Sequence, residues 1–465
     1  MNDGTSPEKR PGRPELHYTP PGGWMNDPNG LLYHRGTYHL FYQYDPLHTT
    51  PVSMHWGHAS SRDLLHWQEH TVALCPDENG VIYSGSLVFD AENVSDFGSK
   101  SAPALVAAYT CHLRTETGYR ESQALAYSTD GGETFTKYAG NPVLRGAQPD
   151  FRDPKLIYIP RMQKWVMPVV AGQKVQFYAS HDLKTWSYLS EFTAELRFPD
   201  CVWECPDLFP LRADDGTERW ILLTSVIAGG ACHGVQYAVG TFDGVHFLPD
   251  HPGPMRMLEF GFDNYAAVTF GGTVDRRLLI GWMGCWKYAV QTPCEGYRGS
   301  MTFPRELELH RTPEGGYRLG QKLAKELQAA CPNRRVLEQV HSIPLEEGAS
   351  YLELRLPRGN TELEFMAAGQ SLRIAIDADR GTIAADRRGC GGEELGEWFH
   401  RIFAAPLKTE EPFIELKILL DRNSIELFAD RGETACTLQH FAGPYFTELR
   451  SSGKISYAEV RRAGP

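Results

Sequence analysis

Three short segments hold the residues best able to do acid–base chemistry. They are Trp24-Met25-Asn26-Asp27-Pro28-Asn29-Gly30, Asp150-Phe151-Arg152-Asp153-Pro154-Lys155 and Trp203-Glu204-Cys205-Pro206-Asp207. Asn-Asp-Pro-Asn-Gly predicts a turn, because proline fixes φ and glycine tolerates positive φ. Asp27 would then either bond its own turn or stand as a rigid carboxylate walled by Trp24. Arg152 beside Asp153 reads as a surface ion pair or as part of a site. Glu204 lies in an apolar, aromatic run, between Val202-Trp203 and Leu208-Phe209. Burial there would raise its pKa toward that of a general acid, whereas plain strand alternation would expose it. Two carboxylates flanking a bond, with aromatic walls, are what cleaving a glycoside requires. One protonates the leaving oxygen, and the other attacks the anomeric carbon or activates water. His55 and His58 are spaced three apart, which permits metal ligation. A strand would put them on opposite faces, so packing is expected and no metal or cofactor is inferred. No Gly-x-Ser-x-Gly elbow, phosphate loop or dinucleotide fingerprint is present.

These residues need a frame that brings distant segments together, and a repeat supplies one. A Ser or Thr, then an Asp, a tight turn and an aromatic recur four times. The copies are Ser61-Arg62-Asp63 to Trp67, Ser128-Thr129-Asp130 to Phe135, Ser180-His181-Asp182 to Trp186 and Thr241-Phe242-Asp243 to Phe247. The aspartates are 67, 52 and 61 residues apart. Each copy reads as a hairpin turn, and the spacing suits one four-stranded propeller blade. About 300 residues at that spacing make five blades. Inner strands of a propeller converge on one axis, so acidic segments from three blades would meet in one funnel. The tail alternates apolar and charged residues, as in Tyr351–Leu356, Thr361–Phe365, Leu372–Ile376, Ile414–Ile418 and Ser424–Phe428. Period two predicts strands with one wet face, here a β-sandwich. The expected fold is therefore all-β. Residues 1–312 form a five-bladed propeller, 313–335 a linker with a helix-like segment at Gln321–Ala330, and 336–465 the sandwich.

Composition agrees. The 465 residues carry 46 basic and 58 acidic side chains, a formal charge of −12, with 45 Gly, 31 Pro, 21 Tyr, 22 Phe and 10 Trp. An acidic chain lacks the basic face of a nucleic-acid binder. No apolar run is long enough for a membrane helix. The ten scattered cysteines read as free, buried thiols of a reducing compartment. The polar N-terminus has no secretory core, so a cytoplasmic location is expected. Self-association into a homo-oligomer is left open.

The three acidic segments resemble the hallmark motifs of glycoside hydrolase family 32, the invertases, inulinases and levanases. The resemblance extends through Phe41–Tyr44, Met54–His58, Tyr83–Ser86, Gly281–Met283 and Arg298–Leu307. It covers nearly the whole chain and implies a five-bladed propeller with a C-terminal sandwich. It also implies that Asp27 is the nucleophile, Glu204 the acid and then the base, and Asp153 a transition-state stabiliser beside Arg152. Trp24, Asn26, Gln43, Tyr83 and Ser84 would line a fructose subsite, with Trp286 as an aromatic wall. The reaction implied is exo-acting, retaining release of terminal β-fructofuranose from sucrose and short fructo-oligosaccharides, without a cofactor. The partner is a small sugar, with no nucleic acid or membrane. Fructosyl transfer and sucrose 6-phosphate hydrolysis use the same carboxylates. Arg114 and Arg120 are candidates for holding a phosphate. Loss of catalysis to leave a binding propeller is disfavoured by the intact acids. Three departures concern substrate preference, one of them Tyr297 where a Trp usually precedes the Arg-Gly of the last blade. Pro51-Val52-Ser53 replaces a usual Trp-Gly, and the stretch Leu113–Arg120 is long and polar.

Overall fold

A computed structural model describes residues 13–146, 148–229, 232–407, 411–443 and 445–464. Five antiparallel sheets follow one another along the first 323 residues, each built round four main strands. Their innermost strands are Gly23–His34, Val81–Phe89, Phe151–Arg152, Cys201–Arg212 and Tyr265–Thr269, which we assign to blades I to V. Two-residue pairing of Tyr297–Arg298 with Gly23–Trp24, in parallel, joins the last blade to the first. A parallel bridge from Leu32 to Gly271 supports the same junction.

The four Ser/Thr-x-Asp copies connect the third and fourth strands of blades I to IV. In the first, Ser61 Oγ donates to Asp63 (3.0 Å), whose Oδ1 accepts the Leu65 and His66 N–H groups at 3.0 and 2.9 Å. Asp182 and Asp243 accept the corresponding pairs of backbone N–H groups. The carboxylate thus satisfies turn donors that no strand partner reaches. Blade V makes this connection differently. Thr312 N–H donates to Gly316 O (2.8 Å) round Gly315, whose φ is 89°. The repeat therefore stops at four copies although there are five blades.

Two expectations about local structure need correction. Asn26–Gly30 is not a turn but lies within the twelve-residue strand Gly23–His34, with register breaks between Met25 and Pro28 and between Asn29 and Leu32. Pro28 cannot donate to the ladder, and Gly30, at φ 53°, packs under the Phe41 ring; both fit a bulged strand. The segment 313–335 is not a linker. Tyr317–Leu323 is the outer strand of blade V, the helix is only Leu327–Ala330, and Asn333–Pro344 already pairs in the second domain. The stretch looks polar because Gln321 is polar, yet Gln321 is buried, bonding Arg305 and the Leu258 carbonyl.

The C-terminal strands form one continuous ladder folded into two layers. The fifteen-residue strand Glu448–Arg462 passes between them. It pairs with Thr361–Ala367 through Glu448–Ser451 and with Ser350–Pro357 through Tyr457–Arg462. The predicted alternation holds: Leu352, Leu354, Leu356, Leu363, Phe365, Leu372, Ile374, Ile376, Ile414, Leu416 and Ile418 all enter one core. Ser424–Ala429 is the exception, since all six residues are buried and its expected wet face lies against the propeller. There Glu426 accepts bonds from the Arg305 guanidinium, Phe303 N–H and His17. A second buried contact joins Arg387 of the sandwich to Asp263 and Tyr288 of the propeller. All ten cysteines are free; Cys75 and Cys294 are exposed, the other eight buried. Among the described residues no helix is long and apolar enough to cross a membrane.

Candidate active site

Side chains of regular strands alternate, so a strand running along the propeller axis offers it only every second residue. The inner strands break that rule at one level. Register shifts fall between Met25 and Pro28, Tyr83 and Gly85, Glu204 and Asp207, and Tyr265 and Val268. Asp153, Cys205 and Ala266 have φ of 66°, 48° and 52°. Bulges and left-handed residues turn consecutive side chains toward the axis, at a backbone cost typical of functional sites.

Asp27 and Asp153 meet at the buried thiol of Cys205. Its Sγ lies 3.4 Å from Asp27 Oδ2 and 3.6 Å from Asp153 Oδ2 and shares its single proton between them, and its N–H donates to Asp153 Oδ2 at 2.9 Å. Asp27 also accepts Ser84 Oγ (2.7 Å) on Oδ2 and Asn26 Nδ2 (3.0 Å) on Oδ1. Asn26 is fixed in turn by Trp24 Nε1 at 2.7 Å. Three donors from blades I, II and IV therefore orient one carboxylate. Asp153 is buried and positioned by its own N–H, which donates to Thr110 Oγ1 at 2.8 Å. Thr110 donates to Gln123, and Gln123 to the Phe151 carbonyl.

Glu204 is gripped from both sides. Arg152 donates to its Oε1 from Nε (3.1 Å) and Nη2 (3.0 Å), and the Tyr265 hydroxyl donates to its Oε2. Arg152 Nη1 in turn reaches Asp150 (2.7 Å) and Glu121 (3.3 Å). Burial raises the Glu204 pKa, and the Asp27 charge adds to that, against the pull of Arg152. Asp153 is pushed up to about 8, chiefly by burial and then by the charges of Glu204 and Asp27. Burial also holds the Cys205 thiol and the Tyr265 hydroxyl well above their ordinary values, so both remain neutral donors. Two carboxyls with raised pKa values, Glu204 and Asp153, thus stand beside a third, Asp27, that is fully hydrogen-bonded, an environment split that can separate a proton donor from a nucleophile. The three carboxyls bring oxygen acceptors to one point, which suits a cationic transition state, and Arg152, Tyr265, Ser84, Asn26 and Cys205 are the donors that hold them there.

The remaining predicted residues fall round this centre. Trp24 stacks on Trp286 at 5.8 Å between centroids, with Trp282 against both. The Tyr83 hydroxyl is raised to about 12, chiefly by burial and then by the charge of Glu121, with smaller contributions from Glu204 and Asp153. Gln43 is buried in the second strand of blade I, and its Nε2 has no partner among the described residues. His55 bonds the Ser53 carbonyl, and His58 lies between the Phe41 and His70 rings at 4.1 and 4.2 Å. Among the described residues no cluster of three ligating side chains could hold a metal. Lys155 and Asp207 of the second and third segments pair at 3.1 Å, and Asp207 also caps Thr269; this ties blades III, IV and V together below the acids. Sequence reasoning missed Tyr265, Thr110 and Glu121. None lies in an acidic or turn-rich segment, and only the topology brings them in. Cys205 stood inside a motif, but nothing in its type announced a bridging thiol.

Comparison with known proteins gives the family of the chain. Residues 17–322 match the glycosyl hydrolases family 32 N-terminal domain, and residues 323–460 match the family 32 C-terminal domain. The chain is 38% identical to a levanase of Bacillus subtilis (strain 168) over 91% of its own length and 66% of that protein's, just under two thirds. It is 34% identical to an invertase of Schizosaccharomyces pombe, covering 96% of this chain and 82% of that one. The crystal structure of an exo-inulinase from Aspergillus awamori superposes with a TM-score of 0.89 at 30% identity, over 98% of this chain and 99% of the other.

Proposed function

The chain belongs to glycosyl hydrolases family 32 and is a β-fructofuranosidase, and on that premise we propose that it releases terminal fructose from sucrose and short fructo-oligosaccharides with retained configuration. Asp27 is the nucleophile, Glu204 the acid and then the base, and Asp153 the stabiliser of the fructosyl cation. The observation that carries this reading is the convergence of the three acids, with Asp27 held by three donors and Glu204 held between Arg152 and Tyr265.

In the first step Glu204 gives its proton to the glycosidic oxygen while an Asp27 oxygen bonds the anomeric carbon. The bond to the leaving sugar breaks and a fructosyl ester remains. In the second step Glu204 takes a proton from water, whose oxygen displaces Asp27 from that carbon. Ser84, Asn26 and Cys205 keep Asp27 fixed through both steps, so little reorganisation is spent on the nucleophile. Asn26, Gln43, Tyr83, Ser84, Arg152 and the Trp286 ring are assigned to holding the fructose, with the fully buried Trp24 backing Trp286. Support for exo-action and for fructosides in general comes from the levanase, invertase and exo-inulinase relatives.

The test is to follow products from sucrose, sucrose 6-phosphate, 1-kestose, inulin and levan, with wild type and Asp27→Asn. Fructose is expected as the first product from sucrose and 1-kestose. Asp27→Asn should lose activity by several orders of magnitude while its circular dichroism stays unchanged. Near-normal turnover by the variant would remove Asp27 as nucleophile, and longer oligosaccharides as main product would replace hydrolysis by transfer.

A further inference from the structure

The second and third strands of blade II, Leu105–Thr115 and Gly118–Ser128, run on past the end of their inner strand. That inner strand begins at Val81, opposite His112, and the hairpin continues through Leu113–Arg120 beyond it. Its end carries an unusual stack. The Tyr83 ring lies 4.4 Å from His112, and His112 lies 4.8 Å from Tyr119, with interplanar angles of 16° and 27°. Tyr119 is 44% exposed, so the outer end of the stack is open to solvent. Its hydroxyl donates to Asp150 at 3.0 Å, which leans the hairpin toward blade III. Cross-strand pairing places His112 opposite Glu121 and Arg114 opposite Tyr119, so these four share one face; Arg120 is on the other.

This wall stands on the Glu204 side of the site. Glu204 holds Arg152, Arg152 holds Glu121 and Asp150, and Asp150 holds Tyr119. A general acid must touch the oxygen that leaves, so the departing sugar lies beside Glu204, on the side that Arg152 and Asp150 join to the hairpin of blade II. Resting on the assignment of Glu204 as that acid, we propose that the hairpin of blade II forms the leaving-group subsite, with the open face of Tyr119 stacking on a neutral sugar ring. The apolar face of a furanose or pyranose ring matches a flat aromatic surface, and an uncharged ring suits a wall where the carboxylates of Glu121 and Asp150 balance the guanidinium groups of Arg152 and Arg114.

The experiment compares Tyr119→Ala, Tyr119→Phe and wild type on sucrose, whose leaving ring is glucose, on inulobiose, whose leaving ring is fructose, and on methyl β-D-fructofuranoside, which has none. For Tyr119→Ala, kcat/KM on one or both disaccharides is expected to fall about two- to ten-fold more than on the methyl fructoside, mainly through KM. Tyr119→Phe keeps the ring and should show no such selectivity. Equal losses on all three substrates, or a selective loss reproduced by Tyr119→Phe, would overturn the subsite and make Tyr119 a positioning residue acting through Asp150. A wild type inactive on sucrose and methyl fructoside alike would instead defeat the underlying activity.

Discussion

Arg387 is a sandwich residue, yet its removal should be felt in the propeller. Its side chain is fully buried, donating to the Phe399 carbonyl (2.8 Å), the Gln439 carbonyl (3.0 Å), the Tyr288 hydroxyl (2.7 Å) and the Asp263 carboxylate. Asp263 is equally buried, and among the described residues its other donors are the Tyr288 hydroxyl and Gln439 N–H. Arg387→Met preserves most of the volume but leaves an uncompensated buried carboxylate, which costs about 3–5 kcal/mol. At roughly 2 °C per kcal/mol for a large domain, the melting temperature should fall by about 6–10 °C. Adding Asp263→Asn removes the stranded charge and should recover about 1–3 kcal/mol. Differential scanning calorimetry of the four members of this cycle measures the coupling. Asp263 also anchors the chain two residues before Tyr265, which grips Glu204. The single variant should therefore lose kcat/KM on sucrose at 25 °C, well below its melting point, and the double variant should regain part of it. An unchanged melting temperature in Arg387→Met, or a double variant no more stable than the single, would refute the claim that this pair welds the domains.

Other outcomes follow from the same geometry. Glu204→Gln should cost more on sucrose than on an aryl fructoside whose leaving group needs no proton; equal losses would argue against an acid role. Tyr265→Phe removes a donor that favours ionised Glu204, so the basic limb of the pH profile of kcat/KM should move to higher pH, and a limb that stays put or falls would contradict the assignment. His17 is held at about 9 because the bonds and charges of Asp421 and Glu426 together outweigh its full burial. Its contribution to stability is complete below its ordinary value of 6.5 and should fade as pH rises through about 9. Urea midpoints of wild type and His17→Gln should therefore converge toward pH 10, and a constant gap would exclude that titration.

The residues most legible in the sequence are those whose side chains bond their own neighbourhood. Asp63, Asp130, Asp182 and Asp243 cap turns beside them, so a local pattern reveals them and the blade count follows. The sandwich core was legible for a similar reason, since Leu352, Leu354 and Leu356 alternate as any half-buried strand must. What escaped depends on partners far along the chain. Glu426 reads as a wet-face residue until Arg305 is placed against it, and Gln321 reads as linker until Arg305 and Leu258 are. Tyr265 has no pattern of its own, and its role exists only because blade V closes against blade IV. The bulges at Asn26–Asp27 and at Cys205–Pro206 were hidden by the same residues that mark them. Proline and glycine signal a turn and a kinked strand alike, and pairing along Thr37–Asp45 decides between them.

His17 has a further consequence, for synthesis. Its partners Asp421 and Glu426 lie 404 and 409 residues downstream. At about 5–20 residues per second, a ribosome needs roughly 20–80 s to deliver them after His17 emerges. The ring is likewise open until Tyr297–Arg298 arrives to pair with Gly23–Trp24. Throughout that interval His17 lacks both carboxylates, although Tyr18 beside it can already pack on Tyr42 and Trp67 of blade I. Blades I to IV can form in turn, each from contacts within its own hairpins, but the first strand waits with an unpaired edge beside Trp24. Nascent chains of this protein should therefore be most vulnerable to proteases and to edge-to-edge association early in the sequence, and protected there only once the last strands are released.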